Sequence, residues 1–144
     1  ESTRVPFILS VPWITKSHGH ASNKIAELVD LYPTLAELAG LTPPTNLQGQ
    51  SLLPLLKNPT TKEWAKDLAF SISRSGGESI RTSEWRFTHW GFGAKGEELY
   101  DLKNDPNEFT NLAKDPNYTD RLNQLKARLK TKRKEAGYDA NRYK

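Results

Sequence analysis

Arg81, Arg86, His89 and Trp90 stand close together in this 144-residue chain. Their types suit the capture of a sulfate or carboxylate group. A guanidinium presents a planar fork of donors that matches the oxygens of such groups. An indole adds a flat apolar ring and one N–H donor. Strand alternation would put Trp85, Phe87 and His89 on one face, and Arg86, Thr88 and Trp90 on the other. One face would pack on a helix. The other could line a pocket, with Arg86 or Trp90 against an anionic sugar. Core packing is the default reading of the aromatics. Arg74 and Arg81 flank a Gly-rich turn, where pairing with Glu78 or Glu84 is an ordinary alternative.

Other clusters offer less. His18-Gly19-His20 would need a third ligand at fixed spacing to hold a metal. Ser10-Val11-Pro12-Trp13-Ile14 begins like Ser-x-Pro-x-Arg, a nucleophile motif of one hydrolase class, but Ile14 replaces the cation. Lys126, Arg128, Lys130, Lys132, Arg133 and Lys134 form a basic run, read as a solvated helix face before a nucleic-acid or glycan contact. The chain has no Cys, so it holds no disulfide, thiolate metal site or Cys nucleophile. No nucleophile, base and orienting partner occur at workable spacing, and no carboxylate cluster suits a divalent cation. We therefore assign no catalytic and no metal-binding residue to this sequence.

The elements that must position these side chains fall into two parts. Val5–Val11 is a nearly continuous apolar run, the pattern of a strand buried on both faces of a parallel sheet. Ile25, Glu27 and Val29 alternate like a short strand. Asp30 reads as an N-cap for a helix over Leu31–Ala39, with Pro33 in its first turn and Gly40 as its exit. Ser51 can cap a short helix, Leu52–Leu56. The boundary is expected at Lys57–Lys62, giving domains 1–57 and 58–144.

Beyond it, Leu68–Ser73, Glu78–Thr82, Trp85–Trp90 and Glu98–Asp101 read as a four-stranded antiparallel sheet. Asp105-Pro106 and Asp115-Pro116 both read as helix starts. The second opens a long helix, Pro116–Ala136, whose apolar stripe is Tyr118, Leu122, Leu125 and Leu129. A sheet covered by one helix is a normal two-layer unit.

The apolar fraction is 35%, charged residues make up 26%, and the net charge is +4. No run approaches the roughly 20 apolar residues of a membrane helix. The chain begins at Glu1 and contains no Met, and its opening strand lacks nearby partners. Those features predict a C-terminal piece of something larger, whose upstream portion supplies both sheet neighbours and reactive groups.

Several strings carry a resemblance. Arg4-Val5-Pro6-Phe7-Ile8, Val29-Asp30-Leu31-Tyr32-Pro33-Thr34-Leu35 and Gly49-Gln50-Ser51-Leu52 resemble the C-terminal third of sulfatases, members of the alkaline-phosphatase-like superfamily. Glu98-Leu99-Tyr100-Asp101-Leu102, Asn104-Asp105-Pro106-Asn107-Glu108 and Asn111-Leu112-Ala113 look like that family's C-terminal subdomain. Gly77-Glu78-Ser79-Ile80-Arg81-Thr82, with Arg86-Phe87-Thr88 and Trp90, is similar to the iduronate-2-sulfatase-like subgroup, though Glu78 stands where an aromatic is expected.

The resemblance implies an α/β fragment, the end of a large α/β sheet, followed by an α+β subdomain. It implies hydrolysis of a sulfuric ester on a sulfated sugar by the intact enzyme, using calcium and a formylglycine held upstream of Glu1. It implies substrate contacts from Arg81, Arg86, His89 and Trp90, and a periplasmic, secreted or lysosomal setting. The rival readings are a phosphodiesterase or phosphonate hydrolase of the same superfamily, and an independent binding module using the basic helix.

Overall fold

A computed structural model describes residues 4–138. The chain divides into two compact units, Glu1–Asp67 and Leu68–Lys144.

The first unit is built around a buried acid. A 3-10 turn, Leu28–Asp30, runs into helix α1 (Leu31–Leu38), and a second helix, α2, spans Leu53–Lys57. Gly40 leaves α1 in the left-handed region at φ 69°, which a residue without Cβ adopts cheaply. Asp30 is fully buried. It does not cap α1 through its side chain, as the sequence suggested. Its carboxylate instead accepts the backbone N–H groups of Glu27 and Gln50, each at 2.9 Å, and pairs with Lys66 Nζ at 2.5 Å. Thr34 extends this knot by donating to the Asp30 carbonyl and accepting from Leu52 N. Gly49 passes so close that a Cβ there would sit 2.0 Å from the Val29 carbonyl oxygen.

Two expected strands are absent from this unit. Residues 5–10 have no strand ladder, and only one side of them is covered. Phe7 and Leu9 pack against Leu52, Leu55 and Trp64, and Val11 is buried, whereas Ile8 is 88% exposed. The alternation of an extended chain is present without a partner strand among the described residues. Residues 25–29 likewise form no strand. The Ile25 carbonyl is taken by Trp64 Nε1 at 2.8 Å, and the chain tightens into the 3-10 turn. Trp64 and Lys66 thus belong to the first unit, and the boundary by contact follows Asp67 rather than Lys57.

The second unit is an antiparallel sheet of four strands in sequence order: β1 (Ala69–Ile72), β2 (Gly77–Arg81), β3 (Trp85–Trp90) and β4 (Glu97–Asp101). Ile80 of β2, Phe87 of β3 and Leu99 of β4 are aligned across the sheet and have no solvent exposure. They meet Leu122, Leu125 and Leu129 of helix α3 (Thr119–Glu135). Asp115 opens the helical segment by accepting Asn117 N at 2.9 Å, in a 3-10 turn that precedes α3. Asp105-Pro106 starts no helix. Asp105 Oδ2 accepts Thr110 N and closes a loop instead.

Asp30→Ala is expected to cost about 3–5 kcal/mol, because it leaves the Glu27 and Gln50 N–H groups without their acceptor and Lys66 with Glu27 alone; urea unfolding measures this. The polypeptide is also expected to bind a hydrophobic dye through exposed Ile8, Leu28, Val29 and Leu35. Ile8→Ser should lower that fluorescence, and an unchanged signal would rule the Ile8 contribution out.

Candidate functional site

The register of the sheet decides which candidates meet. Arg81 pairs with Arg86, Arg86 with Tyr100, Ser79 with Thr88 and Gly77 with Trp90. Side chains directly opposite in a ladder share a face. Arg81, Arg86, Trp90 and Tyr100 therefore lie together on the face away from α3. His89 points the other way, opposite Glu78 and beside the helix. Three of the four expected contact residues thus share a face, with Arg81 and Arg86 direct neighbours and Trp90 four residues further along β3, and His89 is on the opposite face.

Glu108, from the loop after β4, holds the two arginines. Its Oε1 lies 3.4 Å from Arg81 NH1 and its Oε2 lies 2.7 Å from Arg86 NH1. Glu108 adopts φ 61°, a left-handed backbone that is costly for a residue with a Cβ. The Arg86 guanidinium also lies 5.9 Å from the Tyr100 ring centre. Arg86 Nε is buried without a hydrogen-bond partner in this structure. Trp90 donates from Nε1 to Glu98 Oε1 at 3.2 Å. Its ring covers Gly77, where a Cβ would stand 2.7 Å from the indole, so only glycine leaves room.

Burial raises the Tyr100 hydroxyl above its ordinary range, and the negative charges of Glu98 and Glu108 raise it further against the opposing Arg86. Tyr100 therefore keeps its proton well into alkaline solution and can donate a hydrogen bond. The face combines two cations, two acids (Glu108 between the arginines and Glu98 beside Trp90), a phenol donor and an indole. Such a set of donors and acceptors can bind a polar, hydroxyl-rich ligand.

Tyr100, Glu98 and Glu108 were missed in the sequence. The first two alternate on β4 and could have been found from that period, but their partners required the register. Glu108 sits in an irregular loop with no periodic signal. Arg81 does not pair with Glu78 as one alternative had it, because residues three apart on a strand face opposite ways.

On the helix side, Glu78 is fully buried. His89 Nε2 lies 2.7 Å from its Oε2, and Arg133 NH1 of α3 lies 3.4 Å from the same oxygen. Phe92 follows in the turn, 6.2 Å from the His89 ring centre and 5.6 Å beneath the Arg133 guanidinium. The imidazole is a positioning group here, tying β3 to β2 and to the turn.

His18 and His20 contact backbone carbonyl oxygens, His18 Nε2 at 2.9 Å from Val11 and His20 Nδ1 at 3.0 Å from His18. Among the described residues, no group of three His, Cys, Asp or Glu could hold a metal ion. Calcium and a formylglycine, which the resemblance implies for the intact enzyme, do not fit these residues.

Asp101 organises the turn that leads toward Glu108. Its Oδ1 accepts Lys103 N and Asn104 N, and its Oδ2 accepts Asn104 Nδ2 at 2.7 Å. Slight burial pushes its carboxyl up, but the Asn104 and Lys103 donors outweigh that, and the net direction is down. A carboxyl lowered on folding stabilises the fold above its unfolded range and loses that effect as pH falls through its folded value. Asp101→Asn should therefore lower the melting temperature near neutral pH, with the gap to the parent closing well below about pH 4. A gap that stays constant with pH would refute the charge argument.

Comparison with known proteins agrees with this architecture. The family model described as N-sulphoglucosamine sulphohydrolase, C-terminal, matches residues 1–135. A delta 4,5-hexuronate-2-O-sulfatase of Bacteroides thetaiotaomicron is 36% identical over 138 residues, covering 90% of this chain and 28% of that protein. Arylsulfatase K of Homo sapiens is 36% identical over 135 residues, covering 85% and 25%. A solved 2-O GAG sulfatase superposes with a TM-score of 0.69 at 34% identity, covering 80% of this chain and 26% of that one. The chain spans about a quarter of the length of these relatives. With the sheet, the long helix and this extent of match together, the chain belongs to the sulfatase C-terminal family.

Proposed function

We propose that this chain is the C-terminal part of a sulfuric ester hydrolase that acts on a sulfated sugar and is iduronate-2-sulfatase-like. An upstream portion of the same enzyme supplies the reactive groups, and this chain completes the fold and walls the substrate cleft. The activities of its relatives, a hexuronate-2-O-sulfatase and a 2-O GAG sulfatase, support the sulfated-sugar class.

The observation that carries the local role is the Arg81–Glu108–Arg86 bridge beside Tyr100, on the sheet face that also bears Trp90. One carboxylate is shared by two guanidinium groups at the Arg81–Arg86 end of the face, and a second acid, Glu98, sits with Trp90. Trp90, pinned by Glu98 and by contact with Gly77, offers an indole to sugar C–H groups. Binding of the non-reacting part of a substrate in this way orients the reacting centre.

Arg81→Ala, Arg86→Ala and Trp90→Ala in the full-length enzyme test the role. A hydrogen bond to a charged group is worth roughly 1.5–3 kcal/mol, so Arg86→Ala should lower kcat/KM for a sulfated sugar about tenfold or more. Unchanged kcat/KM in all three variants would remove these residues from the substrate wall. Turnover of phosphonate esters in place of sulfate esters would favour the rival hydrolase class.

A further inference from the structure

We propose that the flank of α3 bearing Lys126, Lys130 and Lys134, together with Lys95 and Phe92 of the turn after β3, binds a stretch of anionic polysaccharide. The proposal rests on the sulfated-sugar reading above and extends it from one sugar to a chain. It concerns the helix-bearing side of the sheet, not the face of Arg81, Arg86 and Trp90.

Helical periodicity sets Lys126, Lys130 and Lys134 in one row, at steps of roughly 6 Å along the axis. The row starts beside the buried stripe at Lys126, which reaches the sheet, and winds outward so that Lys130 and Lys134 face solvent above its end. Lys126 reaches Glu97 at the start of β4 at 2.7 Å, and Arg133 reaches Glu78 near the start of β2. The turn 91–96 connects β3 to β4 at that same end.

The charges on this flank do not balance. Glu97 is taken by Lys126, and Glu78 by Arg133 and His89. Lys95, Lys130 and Lys134 are exposed and have no ion pair among the described residues. Like charges four residues apart on a helix repel. The helix C-terminus favours Lys134, which lies in the last turn, but its effect fades beyond that turn. It does not account for Lys130 or Lys95. A row of cations at regular spacing complements a polymer with regularly repeated sulfate or carboxylate groups.

Phe92 supplies a second, independent observation. It stands at φ 57° between Gly91 and Gly93, both also at positive φ. Glycine would be the cheapest residue at that position. The chain instead carries an aromatic ring there, 39% exposed, beside Arg133 and His89. An exposed ring among cations is the pairing that holds a charged sugar, with apolar contact to the ring and ionic contact to the substituents.

The test uses the full-length protein and a heparin-derived octasaccharide. The parent should bind it with an affinity that falls as salt rises, as neutralisation of a polyanion requires. Each screened contact is worth a factor of roughly 1.5–5, so K95A/K130A/K134A should raise Kd about tenfold and flatten the salt dependence. F92L, which keeps an apolar side chain against His89 and Arg133 but removes the ring, should weaken binding with the melting temperature little changed; binding equal to the parent's would remove the ring from the site. Binding unaffected by the triple substitution would overturn the proposal. So would equal competition by a DNA oligonucleotide of the same charge, which would show an unselective basic surface. Sulfate release from sulfated monosaccharides is measured in parallel. Release with silent lysines defeats this proposal alone, whereas lysine-dependent binding with no release from any sulfated monosaccharide defeats the hydrolase reading alone.

Discussion

Asp30 and Glu78 have no solvent exposure, and an ionised carboxyl withdrawn from water is tolerated only where donors replace the lost hydration. Each compact unit is arranged around one of them. Asp30 draws two backbone N–H groups and Lys66 into a single knot, which ties 27–30, Gln50 and the segment ending at Asp67 together where the described residues of the first unit form no strand ladder. Glu78 draws His89 from β3 and Arg133 from α3 to one oxygen, while its Oε1 has no partner in this structure. The apolar contacts of Ile80, Phe87 and Leu99 with α3 are nondirectional. The Glu78 contacts are directional, and they fix where the helix lies along the sheet.

This explains what could be read from the chain in advance. The sheet was legible because its strands alternate and are bounded by Gly and Ser, and Trp85–Trp90 was bounded correctly. The helix was legible because Leu122, Leu125 and Leu129 recur at helical spacing. The first unit was far less legible. Val5–Val11 has the composition of a strand, but a ladder needs a second strand, and composition does not supply one. Asp30 looked like a cap because caps are local. One of its donors, Glu27 N, is local and caps the 3-10 turn, but Gln50 and Lys66 lie 20 and 36 residues away, beyond any local pattern.

The candidate face shows the same division. Arg81, Arg86 and Trp90 were visible as residue types, but a residue type does not specify a neighbour. Tyr100 joined them through the β3–β4 register, and Glu108 through a left-handed loop residue. His89 was grouped with Trp90 because they are adjacent in sequence. Adjacency on a strand places two side chains on opposite faces, and it was the alternation, not the clustering, that carried the information.

Register is therefore what specifies the chemistry of this sheet. Two neighbouring pairs of the β2–β3 ladder, Gly77 with Trp90 and Glu78 with His89, face opposite ways and set the same alignment. Sliding β3 by one residue would turn every one of its side chains over. Arg86 would enter the apolar layer against Leu122, Leu125 and Leu129, and Phe87 would replace it beside Glu108. Glu78 would lose His89. The Trp90 ring would leave Gly77, whose missing Cβ is the only reason the ring fits there. The buried ion contacts on one face and the close indole–glycine contact on the other reject the same error, so the strand keeps its cationic side chains off the helix without needing a contact dedicated to each.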